Sequence, residues 1–184
     1  TNHPHITQDL LKQLLTYDPD TGVFTWRVRP IEMFNCPSEK LRESLCSNWN
    51  KRFGNAVCGS YTQGYINISI LGRLHRAHIL AWLYVTGEWP KHEIDHVDGD
   101  STNNSFSNLR IAKRFENMGN SGRRKHNTSG YKGVHFKKKN MKWQAKIGYR
   151  NKQFYLGLFN TPEEAHAAYC KAAKELFGEF ARFE

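Results

Sequence analysis

Residues 93 to 110 read EIDHVDGDSTNNSFSNLR, a polar run in which carboxylates, amides and one imidazole crowd together. Asp95 and His96 are adjacent; Asn108 follows His96 by twelve positions and Asn117 by twenty-one. An imidazole titrates near neutrality, so a neutral His96 is suited to take a proton from an attacking water. A carboxylate and an amide carbonyl are hard oxygen donors of the kind magnesium and manganese prefer. Together these groups address phosphodiester hydrolysis, which needs an activated water, charge stabilisation on the phosphoryl group and help for the departing oxygen. Taken singly, the same residue types are equally turn formers, because Asp, Asn, Gly and Ser dominate loops for backbone reasons alone. A calcium loop is excluded. Begun at Asp98, an EF-hand wants Gly at its sixth position and Glu at its twelfth, where Asn103 and Leu109 stand.

The elements that must hold these groups are legible around them. Adjacent residues of a strand point to opposite faces, so Asp95 and His96 serve different partners only if the strand end twists or bulges. Gly99 permits the turn that follows, and "KRFENMGN" is predicted helical, carrying Asn117. Upstream, "GYINISILG" alternates like a strand. "RLHRAHILAWLYVTG" then sets Ala77, Leu80, Ala81 and Tyr84 at helical spacing, with Gly87 to end it and Pro90 beyond. His75 and His78 on or near that helix read as packing residues. Thr7 can cap a short helix with Leu10, Leu11, Leu14 and Leu15 on one face, and "YDPDTGVFTWRV" reads as a turn into a strand. Residues 30 to 60 are irregular, punctuated by Pro30, Pro37, Gly54 and Gly59, and carry no functional expectation.

This pattern resembles the HNH endonucleases. "AHILAWLYVTGEWP", "IDHVDGD", the pair Asn103–Asn104 and "SNLR" occur in the family's order across residues 52 to 120. The resemblance implies a two-stranded hairpin packed on a helix around one metal ion, with His96 as general base and Asp95 and Asn117 as metal ligands. It also implies that Asn108 holds the loop and orients the histidine by hydrogen bonding. Products would carry 5′ phosphate and 3′ hydroxyl ends. Two departures are visible: Ser105 stands where many members have Arg, and Asn117 replaces the family's last histidine. An amide oxygen there favours magnesium or manganese over zinc.

The remaining signal is charge. Net charge is +10, yet residues 1 to 118 hold 13 Lys/Arg against 12 Asp/Glu, whereas 119 to 184 hold 14 against 5. From Arg123 to Lys152 there are eleven Lys/Arg and no acid, with Tyr131, Phe136, Trp143 and Tyr149 interleaved. A polyanion such as DNA or RNA suits this stretch better than an acidic membrane surface, since no basic amphipathic helix is present and phosphate neutralisation releases counterions. "YKGVHF", "KWQAKIGY" and "QFYLGLF" are three alternating strands, and "TPEEA" starts a helix with Thr161 as cap, Pro162 at the first position and Glu164 closing a capping box. Ala165, Ala168, Tyr169, Ala172 and Leu176 form its expected stripe, ended by Gly178. Trp143, Ala145 and Ile147 share one strand parity and face the helix, leaving Lys142, Gln144 and Lys146 on an open basic face.

Residues 129 to 184 resemble the plant APETALA/ethylene-response-factor DNA-binding domain through "YKGV", "W-x-A-x-I", "Y-L-G-x-F", "T-x-E-E-A-x-x-A-Y" and "FGEFARFE". The resemblance implies that the sheet enters the major groove of double-stranded DNA with Lys132, His135, Lys137, Lys142, Lys146, Gln153 and Tyr155 facing it. Lysine and histidine replace the plant pattern's arginines at 132, 135 and 137, which loosens or relocates base readout. Arg123, Arg124 and Lys125, in the small polar segment 118 to 130, are expected along phosphates.

The expected protein is α+β: a ββα-metal HNH nuclease core followed by a small three-stranded antiparallel sheet packed on one helix. Residues 1–51 form an N-terminal helix, strand and irregular region, 52–120 the HNH nuclease domain, 121–128 a basic linker and 129–184 the DNA-binding domain. The expected activity is a metal-dependent DNA endonuclease of the phage-encoded homing type, using one Mg2+ or Mn2+, as monomer or homodimer without an obligatory protein partner. The alternative is a sequence-specific DNA-binding regulator on a non-catalytic HNH scaffold. No apolar run reaches membrane-spanning length and no basic-then-apolar leader opens the chain, so a cytoplasmic protein of a bacterial or phage-infected cell is expected. Cys36, Cys46, Cys58 and Cys170 are scattered without a C-x-x-C pair and read as reduced thiols.

Overall fold

A computed structural model describes residues 6–123 and 126–183. The chain divides into two compact units, Thr1–Arg110 and Ile111–Glu184, and the architecture is α+β with small antiparallel sheets set against helices.

The first unit begins with α1 (Gln8–Leu14), whose cap is the Thr7 hydroxyl accepting from Leu10 N–H at 3.2 Å. It buries Leu11 and Leu14, packs on α3 (Ala77–Thr86), and Gln8 Nε2 donates to Tyr84 O at 2.8 Å. Strands β1 (Leu15–Tyr17) and β2 (Phe24–Trp26) form an antiparallel hairpin, with the Tyr17 ring against Phe24 and Tyr84 at 4.6 and 5.6 Å between centroids. β3 (Ser60–Thr62), β4 (Tyr65–Ile70) and β5 (Arg73–Arg76) make a three-stranded antiparallel sheet, from whose β4 Ile68 and Ile70 are buried. α3 follows directly and packs on β4 and β5; Gly87 ends it at φ 79°, a left-handed cap that favours glycine. β6 (Glu93–His96) then pairs with β7 (Leu109–Ala112), the strand on which the division between the units falls.

Residues 30 to 60 are not wholly irregular. Glu39–Phe53 form a 15-residue helix, α2, capped by Ser38 accepting from Leu41 N–H at 3.4 Å. It buries none of its residues, so its sequence has no need of an apolar stripe at helical period. Contacts at its C-terminal half anchor it: Asn50 accepts from Arg29 N–H and donates to Arg29 O, both at 2.9 Å, and the Arg29 guanidinium lies 3.8 Å from the Trp49 ring centroid.

In the second unit, α4 (Arg114–Asn120) precedes a sheet ordered β10–β9–β8, formed by β8 (Val134–Lys137), β9 (Lys142–Tyr149) and β10 (Lys152–Phe159). α5 (Pro162–Phe177) packs on all three strands. The capping box forms as its residue types dictate: Glu164 N–H donates to Thr161 Oγ1 at 3.2 Å, while Glu164 Oε2 accepts from Thr161 N–H at 3.4 Å. The buried stripe of α5 is Ala165, Tyr169, Ala173 and Phe177, rotated slightly from the expected one, with Ala172 and Leu176 at its margin. Val134 and Ala145 pack under Ala165, and Ile147 under Tyr169, Ala173 and Phe177.

Gly133 shows why the helix lies so close. Its φ is 74°, and a Cβ there would sit 2.2 Å from Tyr169 Cδ2 and 2.7 Å from Lys146 O. Gly133→Ala is therefore expected to destabilise the second unit by at least about 1–3 kcal/mol through the positive φ alone. A lower midpoint in urea denaturation of the full chain checks this.

Candidate active site

The candidate site is built on the hairpin β6–β7 and the loop between its strands. Ile94, Asp95 and His96 are all buried on β6, so the strand end is enclosed on both faces. Asp95, 4% exposed, is paired with Arg110 on β7: Oδ2 accepts from Arg110 Nε at 2.9 Å and forms an ion pair with Nη2 at 2.8 Å. The guanidinium supplies the positive charge that a buried carboxylate needs.

The loop is closed by side chains acting as backbone substitutes. Asp98 Oδ1 accepts from Asp100 N–H at 2.8 Å and from Asn108 Nδ2 at 2.9 Å, and its Oδ2 accepts from Asn103 Nδ2 at 2.7 Å. Asn108 in turn accepts from Asp98 N–H at 3.0 Å and donates to Asn103 O at 2.9 Å, while its own carbonyl accepts from Val97 N–H at 2.9 Å. Partial burial of Asp98 opposes ionisation, but the Asn108, Asp100 and Asn103 donors outweigh it and hold the carboxyl below its ordinary range. Asp100 Oδ1 caps the next turn by accepting from Thr102 N–H at 2.9 Å.

The rest of the first unit holds this loop from outside. Tyr17 donates its hydroxyl to Asn104 O at 2.7 Å, Phe106 N–H donates to Pro19 O at 2.7 Å, and Ser101 Oγ donates to Gly64 O. Burial, and then Asp18, push the Tyr17 phenol well above its ordinary value, so it stays a donor. Gly22, at φ 73°, lies so near that a Cβ would come within 2.2 Å of Asn104 C. The N-terminal hairpin, which the sequence offers only as a turn into a strand, thus braces the loop.

His96 is 6% exposed; its Nε2 lies 3.3 Å from Asn104 Oδ1, and its ring meets the His78 ring edge-on at 4.9 Å and 84°. His78, on α3, is 3% exposed, and its Nδ1 is buried without a hydrogen-bond partner among the described residues. Burial, then His96 and Arg76, bring its pKa down to about 3. It is a neutral wall for His96, in keeping with a packing role.

Each expected site residue has a definite place. Asp95, His96 and Asn108 come together on the hairpin and its loop, whereas Asn117 lies on α4 in the second unit. Residue spacing gave no role to Asp98, Asn104 or Arg110. The signal for them was the density of Asx residues in "VDGDSTNN" and the charge of the quoted "SNLR", since a buried carboxylate calls for a cationic neighbour.

On the second unit, cross-strand pairing sets Lys137 beside Lys142, His135 beside Gln144, Tyr155 beside Lys146 and Gln153 beside Gly148. His135, Lys137, Lys142, Lys146, Gln153 and Tyr155 therefore share the sheet face opposite α5. Leu156, at a bulge between Tyr155 and Gly157, packs against the core. His135 Nε2 lies 2.8 Å from Gln144 Oε1, and Tyr155 is 58% exposed. Lys132 precedes β8 and is tied within the unit: Nζ donates to Gly119 O at 2.7 Å and Arg182 O at 3.0 Å. Burial, then Arg182, bring its ammonium down to about 8. Arg123 Nη1 donates to Gly130 O at 2.5 Å. Arg124 and Lys125 lie outside the described residues.

The donor chemistry fits a hard cation. Among the described residues no group of three His, Cys, Asp or Glu is placed to hold a metal ion. An ion such as magnesium, which keeps several waters and takes one or two protein oxygens, needs no such trio. The Asp95 carboxylate has about four lone-pair sites, so the pair with Arg110 does not exhaust its acceptor capacity.

Residues 75–118 match the HNH endonuclease family and residues 129–179 the AP2 domain. Protein 3.8 of Escherichia phage T7 is 37% identical over 109 residues, 59% of this chain and 89% of that protein. The chain belongs to the same family as that phage protein. An uncharacterized HNH endonuclease, L560 of Acanthamoeba polyphaga mimivirus, is 32% identical over 112 residues, 60% of this chain and 57% of the viral one. The ethylene-responsive transcription factor WRI1 of Arabidopsis thaliana is 50% identical over 52 residues, 27% of this chain and 12% of the plant protein. No solved structure matches the chain. An HNH-type endonuclease domain and an AP2-like domain are thus both present, and no helix among the described residues is long and apolar enough to cross a membrane.

His78 gives a pH signature. Its folded pKa lies below its unfolded value of 6.5, so the unfolded chain binds the extra proton between about 3 and 6.5. This contribution to stability is complete above pH 6.5 and falls as pH drops through that window, at up to about 1.4 kcal/mol per pH unit. The acid loss of stability, followed by urea midpoint against pH, is expected to be shallower in His78→Phe.

Proposed function

We propose that the protein is a metal-dependent DNA endonuclease that hydrolyses phosphodiester bonds, with an attached DNA-reading module, of the phage-encoded homing type. The observation that carries this reading is the enclosed pair Asp95–His96 on a hairpin whose loop is closed by Asn108 and braced from the N-terminal hairpin. A site in which a base and a carboxylate are held this tightly is pre-organised for proton transfer.

His96 takes the proton from the attacking water, and Asn108 keeps the loop that carries the site in one conformation. Asp95 and Asn117 are the cation's oxygen ligands on the strength of the sequence match, whose range of 75–118 includes both. A bound Mg2+ or Mn2+ would polarise the scissile phosphate and stabilise the leaving 3′ oxygen. Arg110 neutralises Asp95 and fixes its rotamer through a hydrogen bond and a close ion-pair contact. The face bearing Lys137, Lys142, Lys146, His135, Gln153 and Tyr155 reads the major groove, where a sheet is accommodated in B-form DNA. The names of the mimiviral and plant relatives, an endonuclease and a transcription factor, agree with this division of labour.

One observation favours a second reading. The Asp95 carboxylate is compensated by Arg110 within the protein itself, as a scaffold without a cation would require. In that case the chain is a sequence-specific DNA-binding regulator with a non-catalytic HNH scaffold.

The full-length protein, incubated with magnesium and supercoiled plasmid carrying fragments of its own genome, is expected to nick or linearise the DNA, and EDTA to stop it. His96→Ala is expected to lower cleavage by about 10²–10⁴-fold, the usual worth of a general base, with binding in a mobility-shift assay near normal. Cleavage by the alanine variant at the wild-type rate removes His96 from the reaction; shifted but uncut DNA supports the regulator. On the reader, Lys142→Ala with Lys146→Ala is expected to weaken duplex binding and reduce its dependence on log salt by about two phosphate contacts. An unchanged salt slope would place the DNA elsewhere.

A further inference from the structure

We infer that the open face of the sheet β3–β4–β5, centred on Arg76, is a second contact surface for DNA, one that grips backbone phosphates beside the β6–β7 hairpin. The inference takes from the endonuclease reading only that the ligand is DNA. Its first support is the placement of charge within the first unit. The near balance of residues 1 to 118 conceals a segregation: Ser44 to Gly87 hold Lys51, Arg52, Arg73 and Arg76 and no Asp or Glu. Arg76 is exposed and makes no ion pair among the described residues. An exposed guanidinium without a carboxylate beside it is open to an anion from outside.

Strand register builds the rest of the face. Ser60, Asn67 and Arg76 stand in one row across the three strands, and Thr62 pairs with Tyr65 in the next. With Ser69 they share the side of the sheet opposite the buried Ile68 and Ile70. The Arg76 guanidinium lies over the Tyr65 ring, 4.1 Å from its centroid. Stacking holds the guanidinium while its N–H groups keep the fork that suits a phosphate bidentately. Asn67 donates to Thr62 Oγ1 at 2.8 Å and to Tyr65 O at 3.1 Å, so its NH2 is spent on the β3–β4 turn and the charged contact falls to Arg76. Arg, Ser, Thr and Tyr side chains take phosphate oxygens without reading sequence. This surface therefore holds the duplex, a task distinct from that of the basic sheet in the second unit.

Two contacts join the face to the hairpin. The Tyr65 ring meets the His78 ring at 5.3 Å, and His78 meets His96 at 4.9 Å. Ser101, in the loop of the β6–β7 hairpin, donates through Oγ to Gly64 O in the β3–β4 turn. Two rings thus separate Arg76 from His96, a span of only a few nucleotides where successive phosphates of one strand advance about 3.4 Å along the axis. The carboxylates of that loop do not cancel the charge of Arg76, since Asp98 and Asp100 accept from the loop's own donors.

The test titrates the full-length chain, in EDTA to prevent cutting, with a labelled duplex of about 40 base pairs at several salt concentrations. Arg76→Gln is expected to weaken binding at least about ten-fold at the lowest salt, and to reduce the slope of log affinity against log salt by about 0.9, the share of one phosphate contact. Arg76→Lys, which keeps the charge and loses the fork, is expected to keep the slope and lose part of the affinity. Ser69→Glu, at an exposed position of the same face, is expected to weaken binding by repulsion. Wild-type affinity and slope in Arg76→Gln overturn the inference. If a lowered urea midpoint shows that this variant fails to fold, Ser69→Glu decides, and unaltered binding by it overturns the inference equally. Magnesium and supercoiled plasmid then separate the two readings. Binding that responds as described in a wild-type chain that leaves DNA uncut supports the surface and removes the endonuclease reading instead.

Discussion

The first unit's chemistry depends on how a polar twelve-residue loop is kept in one shape without an apolar core of its own. The carboxylate of Asp98 answers this by gathering three donors, from Asp100, Asn103 and Asn108, at 2.7 to 2.9 Å. Each of these amides then makes a further bond along the loop, so the ends are tied as a backbone turn would tie them. Asp98 is itself exposed, but Asn108 is buried, so opening the loop would cost the Asn108 amide its partners. His96 and Asn104 inherit their positions from this closure. The N-terminal hairpin completes it through Tyr17 and Gly22, which explains why a segment far away in sequence belongs to the site.

What the sequence made legible was whatever follows a periodic or capping rule. Thr161, Pro162 and Glu164 announced the start of α5, and strand parity placed Trp143, Ala145 and Ile147 on the helix side of the sheet. Thr7 and Gly87 marked helix ends for the same reason. α2 escaped because the usual signal is a buried stripe, and this helix buries nothing; its anchors are Asn50 and the Trp49–Arg29 stack, which have no period. The stripe of α5 was offset since Ala172 and Ala173 are equally small, and only the position of Tyr149 and Leu156 beneath the helix decides between them.

The site was legible as residue types but not as partnerships. Asp95, His96 and Asn108 could be picked out by spacing, yet spacing does not tell which amide meets the imidazole, and Asn104 and Asn108 are both within reach of a tight loop. Arg110 is likewise visible only once β7 pairs with β6. Lys132 shows the converse. The resemblance implied that it faces DNA, but it lies in the turn before the sheet, where the backbone carbonyls of Gly119 and Arg182 draw its ammonium inwards. The lysines within the strands have no such choice, because the pleat fixes which side they take.

The division of charge between the units fits two tasks with opposite needs. A reader gains from an uncompensated basic face, since each phosphate it neutralises releases counterions; a cutting site needs its charges paired until the substrate arrives. Anomalous diffraction from crystals grown with manganese decides most directly whether the hairpin works with a cation. One peak about 2.1 Å from a carboxylate oxygen of Asp95, with the His96 ring beside it, is expected. A map empty at that carboxylate, with Arg110 still closed upon it, would contradict cation-assisted hydrolysis at this hairpin.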